Sequence, residues 1–193
     1  MAKLPIHIWP DPVLSTRADE VKVFDDALRT MVGDMFETMA DARGIGLAAN
    51  QVGILQRVLI VDLDPENDAA GDPELAEQLK EWGYEKPMVL INAEITSSHG
   101  KITWEEGCLS VPGVTEKVDR AESVTVKACD EFGKPFTLEA HGLFAVCIQH
   151  ELDHLNGRVF VEYLSKLKRD LIKRRMIKAK AEHTVNETQT VSI

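Results

Sequence analysis

The segment CIQHELDHLNG, residues 147–157, constrains this chain more than any other. It closes a longer run, GLFAVCIQHELDHL (142–155), with the length and apolar content of a helix and with Gly157 placed to end it. On a helix, positions i and i+4 share a face, so His150 and His154 stand one turn apart on the same side. Glu151 lies about 100° further round, near enough to reach a water held by the pair. Two readings follow. Either the histidines hold one metal ion, or they are ordinary core or surface residues of a helix that binds nothing.

The metal reading needs a third ligand, because a catalytic ion takes three protein ligands and keeps one position open. Metzincin proteases place a third histidine six residues after the second, and here that residue is Phe160. Gluzincin proteases use a glutamate about one further helix away. Glu162 is too near for that, and Glu182 lies in a basic tail. Upstream, EGCLSVPG (106–113) places Cys108 at the end of a strand entering a turn. Cys147, inside FAVCI, and Cys129, inside a hairpin, read as small buried hydrophobes. Cys108 lies among acids and glycines, where packing does not explain it.

With 193 residues the chain fits one domain, large enough to bury a core without disulfide staples. We expect a single catalytic unit over 1–183 and a frayed tail over 184–193. The formal charge of −10 argues against nucleic acid as a main partner, unless basic charge is clustered. DNA is not expected as a partner. No stretch reaches 18 consecutive apolar residues, so no membrane span is expected. The N-terminal text has neither a signal peptide's apolar run nor a transit peptide's basic bias. Three cysteines without a C-x-x-C pair fit a reducing, cytoplasmic setting.

Along the chain, Leu28, Met31, Val32, Met35, Phe36 and Met39 form one apolar stripe, predicting a helix capped by Asp25 and stopped by Gly44. GIGLAANQVG (44–53) reads as a small-residue loop. RVLIVDLD (57–64), MVLINAEI (88–95) and GKITWEEGCLSV (100–111) read as strands, and ESVTVKACD with KPFTLEA as a hairpin. Residues 64–87 carry eight acids and two bases, with Leu75, Leu79 and Trp82 marking a candidate short helix. Residues 165–183 read as a basic helix with eight bases and two acids. The order predicts an α+β fold of mainly antiparallel sheets around a central metal-binding helix, with an N-terminal amphipathic helix and a C-terminal basic one.

Three separated motifs, GIGLAANQ (44–51), EGCLS (106–110) and QHELDH (149–154), resemble those of bacterial peptide deformylases in content and order. The likeness spans roughly residues 4–180 and points to the type with a helical C-terminus typical of Gram-negative bacteria. It implies a hydrolase that removes the N-formyl group from the methionine of nascent chains, releasing formate. It implies Cys108, His150 and His154 as ligands of a divalent metal, Fe²⁺ in cells, with Zn²⁺, Ni²⁺ or Co²⁺ as substitutes. It implies Glu151 as general base and acid, and Gln51 with the Leu109 backbone N–H as oxyanion donors. The chemistry is consistent. A thiolate cancels one of the ion's charges and weakens it as a Lewis acid, so a base beside the water gains importance.

Gly44 and Gly46 are expected to let backbone approach an extended peptide. Ile45, Leu109 and Val146 are candidates for the methionine pocket, or plain core. Thr115 stands where the resemblance leads one to expect an arginine, seven residues after Cys108. The acidic stretch 64–87 is longer than the resemblance predicts, and reads as a solvated loop or a flap near the site. The basic helix 165–183 reads either as a solvated surface or as a ribosome-docking element, as related C-terminal helices bind ribosomal RNA. Two other functions stay in view, a peptide-bond-cleaving metallopeptidase and a non-catalytic ribosome-associated protein with a structural metal.

Overall fold

The computed structural model describes residues 2–64 and 66–189, with side chains up to residue 179. Helix α1 (Asp26–Asp41) starts where expected, with the Asp25 carboxylate accepting the Leu28 N–H at 3.0 Å. Its Leu28, Val32, Met35 and Met39 are buried. It does not stop at Gly44. The left-handed residue is Arg43, with φ 55°, while Arg43 N–H donates to Ala40 O and Gly44 N–H to Met39 O. This pair of bonds closes the helix as a Schellman motif with an arginine in the position glycine usually takes.

The expected loop 44–53 is more ordered than its small residues indicate. It contains strand β1 (Gly46–Ala48) and a 3-10 turn (Ala49–Val52). Strand β2 (Val58–Val61) pairs with β1 and with β3 (Met88–His99), and all four of its residues are buried. Strand β4 (Ile102–Gly107) pairs with β5 (Thr115–Arg120) as a separate two-stranded sheet, and β5 is an element the sequence did not announce. The predicted hairpin is β6 (Ser123–Cys129) with β7 (Pro135–His141), closing an antiparallel sheet of order β1-β2-β3-β6-β7.

The acidic stretch 64–87 is helical and packed in its second half and mostly exposed in its first. Helix α2 (Pro73–Glu81) starts at Asp72, whose carboxylate accepts the Glu74 and Leu75 N–H groups. Helix α3 (Gly142–Leu155) carries the two histidines and packs against β1, β2, β6 and β7 of one sheet and β4 of the other. Ten of its fourteen residues are buried, so it is the centre of the fold, as its apolar text predicts. Leu79 and Tyr84 of the insertion are buried in the same apolar cluster as Phe144 of α3, and the Tyr84 hydroxyl donates to Asp62 at 2.7 Å. Gly157, at φ 74°, lies against the backbone of Ser15 and Thr16, where a Cβ has no room.

Helix α4 (Lys166–Gln189) is the basic helix and runs past the expected end at 183. Its Ile172 and Met176 are buried against Val111, Val114 and Phe160. Of the expected frayed tail, residues 190–193 lie outside the described residues. Among the described residues no helix is long and apolar enough to cross a membrane.

Candidate metal centre

Two elements bring the candidate ligands together. Cys108 follows the last residue of β4, and the turn is held by the Val111 N–H donating to Cys108 O at 2.9 Å. His150 and His154 come from adjacent turns of α3. The three candidate ligand atoms all lie within 4.8 Å of one another, with Cys108 Sγ 3.2 Å from His154 Nε2. Sulfur and nitrogen ligands on one tetrahedral ion stand roughly 3.3–3.6 Å apart. The Cys108–His154 spacing is close to that range, and these three residues could hold one ion.

The surroundings fit a cation. His150 Nδ1 bonds to Glu106 Oε2 at 2.8 Å, which leaves Nε2 as the ring's free ligand atom. Glu106 is itself clamped by Arg120, Nε to Oε1 at 2.7 Å and Nη2 to Oε2 at 3.0 Å. Arg120 continues to Asp153 of α3 and lies over the Tyr163 ring at 4.8 Å. Burial alone would raise the Glu106 carboxyl, but the bonds from Arg120 and His150 outweigh it and hold it below the usual carboxylate range. Burial drives His154 well below its ordinary value, with His150 and Arg120 adding to the effect, so its ring stays neutral and able to ligate. Burial also opposes charge on His150. Cys108 and Glu106 prevail there, and the same negative neighbours that hold a proton favour a metal ion.

Glu151 lies beside this cluster, 4% exposed, with Oε2 buried and without a hydrogen-bond partner. Burial pushes its carboxyl up to about 7. Gly46 makes room for it, since a Cβ there would stand 2.6 Å from Glu151 Oε1 and 2.7 Å from Cys147 Sγ. Gly44 likewise makes room for the Leu109 side chain. At both glycines a Cβ would crowd the protein's own side chains, whatever peptide approaches. Gln51 is buried, and its Oε1 accepts the Ala48 N–H at 2.9 Å. That bond fixes the amide so that Nε2 faces Ser110 Oγ at 3.3 Å and Cys108 Sγ at 3.7 Å.

A cavity of about 460 Å³ opens beside the cluster and is lined by Gly44, Ile45, Gly46, Leu109, Val146 and Glu151, all candidates from the sequence. Thr115 stands on its wall, with its hydroxyl donating to Glu105 at 3.3 Å. Cys147 also lines it, but burial and the nearby Glu151 push its thiol well up, and it is not among the clustered ligand atoms. Sequence reasoning missed Glu106, Arg120 and Asp153 behind the ligands, and Trp104 and Leu143 along the cavity. Glu106 sits inside the EGCLS motif and was within reach. Arg120 was not, because its partners lie 14 and 33 residues away.

A central helix and a strand end that together present a thiol, two imidazoles and a buried carboxylate with one unpaired oxygen describe a metal-dependent hydrolase. Comparison with known proteins makes this specific. The family model described as polypeptide deformylase matches residues 3–170. The chain is 47% identical over 186 residues to a peptide deformylase of Alkalilimnicola ehrlichii, covering 96% of each. It matches the crystal structure of a peptide deformylase from Legionella pneumophila with TM-score 0.80 and 45% identity, covering 95% of this chain and 98% of that one. It also matches the Ehrlichia chaffeensis peptide deformylase in complex with actinonin, with TM-score 0.83 and 38% identity, covering 93% and 98%. The chain belongs to the polypeptide deformylase family, metal-dependent hydrolases that remove the N-formyl group from nascent peptides.

Proposed function

We propose that Cys108, His150 and His154 hold one Fe²⁺ and that Glu151 and Gln51 carry the proton and charge transfers of deformylation. The observation that supports this most is the pairing of a ready-sized ligand cluster with a buried Glu151 oxygen that has no bond of its own. When bound, the metal supplies a Lewis acid and a water of lowered pKa. Glu151 takes the proton as water oxygen attacks the formyl carbon. Gln51 Nε2 and the Leu109 N–H donate to the formyl oxygen as negative charge gathers there. The C–N bond then breaks, Glu151 returns its proton to the leaving nitrogen, and formate and a free amino terminus depart.

The peptide reads into this site as an added strand. Strand β1 ends the five-stranded sheet, with β2 on one side and no strand on the other among the described residues. An extended substrate pairing along that edge would bring its formyl group to the cluster. The methionine side chain would enter the apolar cavity beside Ile45, Leu109 and Val146. Thr115 in place of an arginine removes one charged contact beyond the first residue. We further assign the protein to the cytoplasm, where formylated chains arise, treat residues 1–183 as its catalytic unit, and assign α4 to ribosome docking. Eight bases on that helix in a chain of net charge −10 support the last assignment.

Metal analysis coupled to formate release, both under anaerobic conditions, tests the reading. We expect one iron per chain and formate from formyl-Met-Ala-Ser. Cleavage of internal peptide bonds without formate would assign a metallopeptidase instead. A metal without either activity would assign a structural site.

A further inference from the structure

The two walls of the cavity run in register. On α3, Leu143, Val146, Cys147, His150 and His154 lie along one face, so the apolar residues occupy the N-terminal turns and the histidines the C-terminal ones. On β4, alternate residues share a face, so Trp104 lies about 7 Å along the strand from Glu106, on the same side. Glu106 bonds to His150, and both Trp104 and Leu143 line the cavity. The cavity therefore has a metal end, at His150 and Cys108, and an apolar end, at Trp104 and Leu143.

What stands behind the apolar end is the acidic insertion. Trp82, at the C-terminus of α2, meets Trp104 edge to face, with ring centroids 6.4 Å apart and planes at 88°. Trp82 is well anchored. Its carbonyl accepts the His141 N–H at 3.0 Å, and its backbone N–H donates to Gln78 O at 3.1 Å. Its indole lies on Gly142, the first residue of α3, where any Cβ would overlap it. Trp82 does not itself line the cavity. It stands against the Trp104 ring, and an edge-to-face pair of this kind adds orientation to the burial of area.

We infer that the insertion 64–87 sets how long a first side chain the enzyme accepts, with Trp104 as the end wall of the pocket and Trp82 as the residue that positions it. The inference rests on the deformylase reading above. It gives the insertion a role inside the known reaction that the three family motifs do not encode.

The metal-loaded enzyme is assayed for formate release from formyl-Met-Ala-Ser and from the analogue whose first residue is 2-aminooctanoic acid, which carries a longer unbranched chain. No formate from the methionine peptide with unaltered enzyme would overturn the deformylase reading itself. Given release, Trp82→Ala is expected to raise kcat/KM for the longer peptide relative to methionine by roughly tenfold, the scale of one or two methylenes in an apolar pocket. The change should appear as a higher KM for the methionine peptide with kcat little altered, and Trp82→Phe should restore the native ratio. Trp104→Ala removes the wall while leaving Trp82 on Gly142, and should relax the ratio at least as far. A ratio within twofold of the unaltered enzyme in either folded alanine variant overturns the inference. If Trp82→Ala does not fold, Trp104→Ala decides alone.

Discussion

Helices α3 and α4 are opposite solutions to the same problem, that of placing charged residues on a helix. Helix α3 buries His150, Glu151 and His154 at 8%, 4% and 0% exposure, and surrounds them with fixed partners or with one another. Up to residue 179, helix α4 exposes nearly all its charge and commits little more than Ile172 and Met176 to the core. It even leaves Leu167 and Leu171 largely open, at 72% and 57%. A buried ionisable group is expensive unless paired, so its presence on α3 demands a use. An exposed lysine costs almost nothing, so the charge on α4 can serve long-range attraction without affecting the fold. Substitutions on the two helices should therefore fail in different ways.

The largest effect on turnover is expected at Glu151→Gln. The isosteric amide keeps the packing around Gly46 but cannot take a proton, and loss of a positioned acid/base typically costs about 10²–10⁴ in rate. Metal content should match that of the unaltered protein, because all three ligands remain. Formate release and metal analysis on one sample check both halves. Turnover surviving within tenfold would remove Glu151 from the chemistry.

Next comes Glu106→Gln, which weakens α3 from outside the ligand set. The amide can still face His150 Nδ1, but Arg120 loses its carboxylate fork and is left buried beside Asp153 alone. Partners of this kind behind a ligand typically contribute about 10–100-fold in metal affinity. We expect metal to be lost to a competing chelator at correspondingly lower chelator concentration, with kcat of the fully loaded enzyme changed much less. Equal metal retention would mean that the Glu106–Arg120 pair serves the fold and not the site.

What is legible in the sequence follows the same division. The candidate ligands on α3 stand out because ligation demands particular residues at a helical spacing, and the apolar text around them demands a central place. Cys108 can be read because its neighbours give it no packing reason to exist. Strand β1 reads as a loop since Gly and Ala are poor strand formers, and its pairing with the buried strand β2 overrides that preference. Arg43 takes the helix-ending position expected of Gly44, for glycine there serves instead the close approach of Leu109. The Trp82–Trp104 pair joins residues on separate elements, and no local pattern encodes it. Helix α4 is legible as basic. Its two anchoring residues are not, because Ile172 and Met176 read no differently in the sequence from Leu167, Leu171 and Ile177, which are exposed.

That anchoring pair gives a smaller, purely structural prediction. Met176, 2% exposed, packs in the cluster that contains Val111 and borders Cys108. Met176→Ala should destabilise by about 2–5 kcal/mol, through the apolar burial it removes and the cavity it leaves. For a chain of this size that lowers the thermal midpoint by roughly 5–15 °C. At 25 °C the folded, metal-loaded enzyme should turn over small peptides nearly as before. A shift under about 2 °C would show that α4 is held elsewhere along its length.

The smallest effect on peptide turnover, and the sharpest contrast with α3, is expected from removing exposed charge on α4. Truncation at Leu164 would be a poor test of docking, since it also strips Ile172 and Met176 from the core beside Cys108. Replacing Lys173 and Arg174 by glutamine avoids this. Both are exposed, and glutamine is nearly as good a helix former as either. Thermal midpoint and kcat/KM on formyl-Met-Ala-Ser should stay unchanged. If α4 docks on ribosomal RNA, co-sedimentation with ribosomes should weaken. Its slope against log salt should also flatten by about 0.7–0.9 for each phosphate that is no longer neutralised. Binding that is unchanged and insensitive to salt would return α4 to the role of a solvated helix held by two core residues. A fall in kcat/KM on the free peptide would mean instead that charge on α4 acts on the site directly, and the division between the two helices would fail.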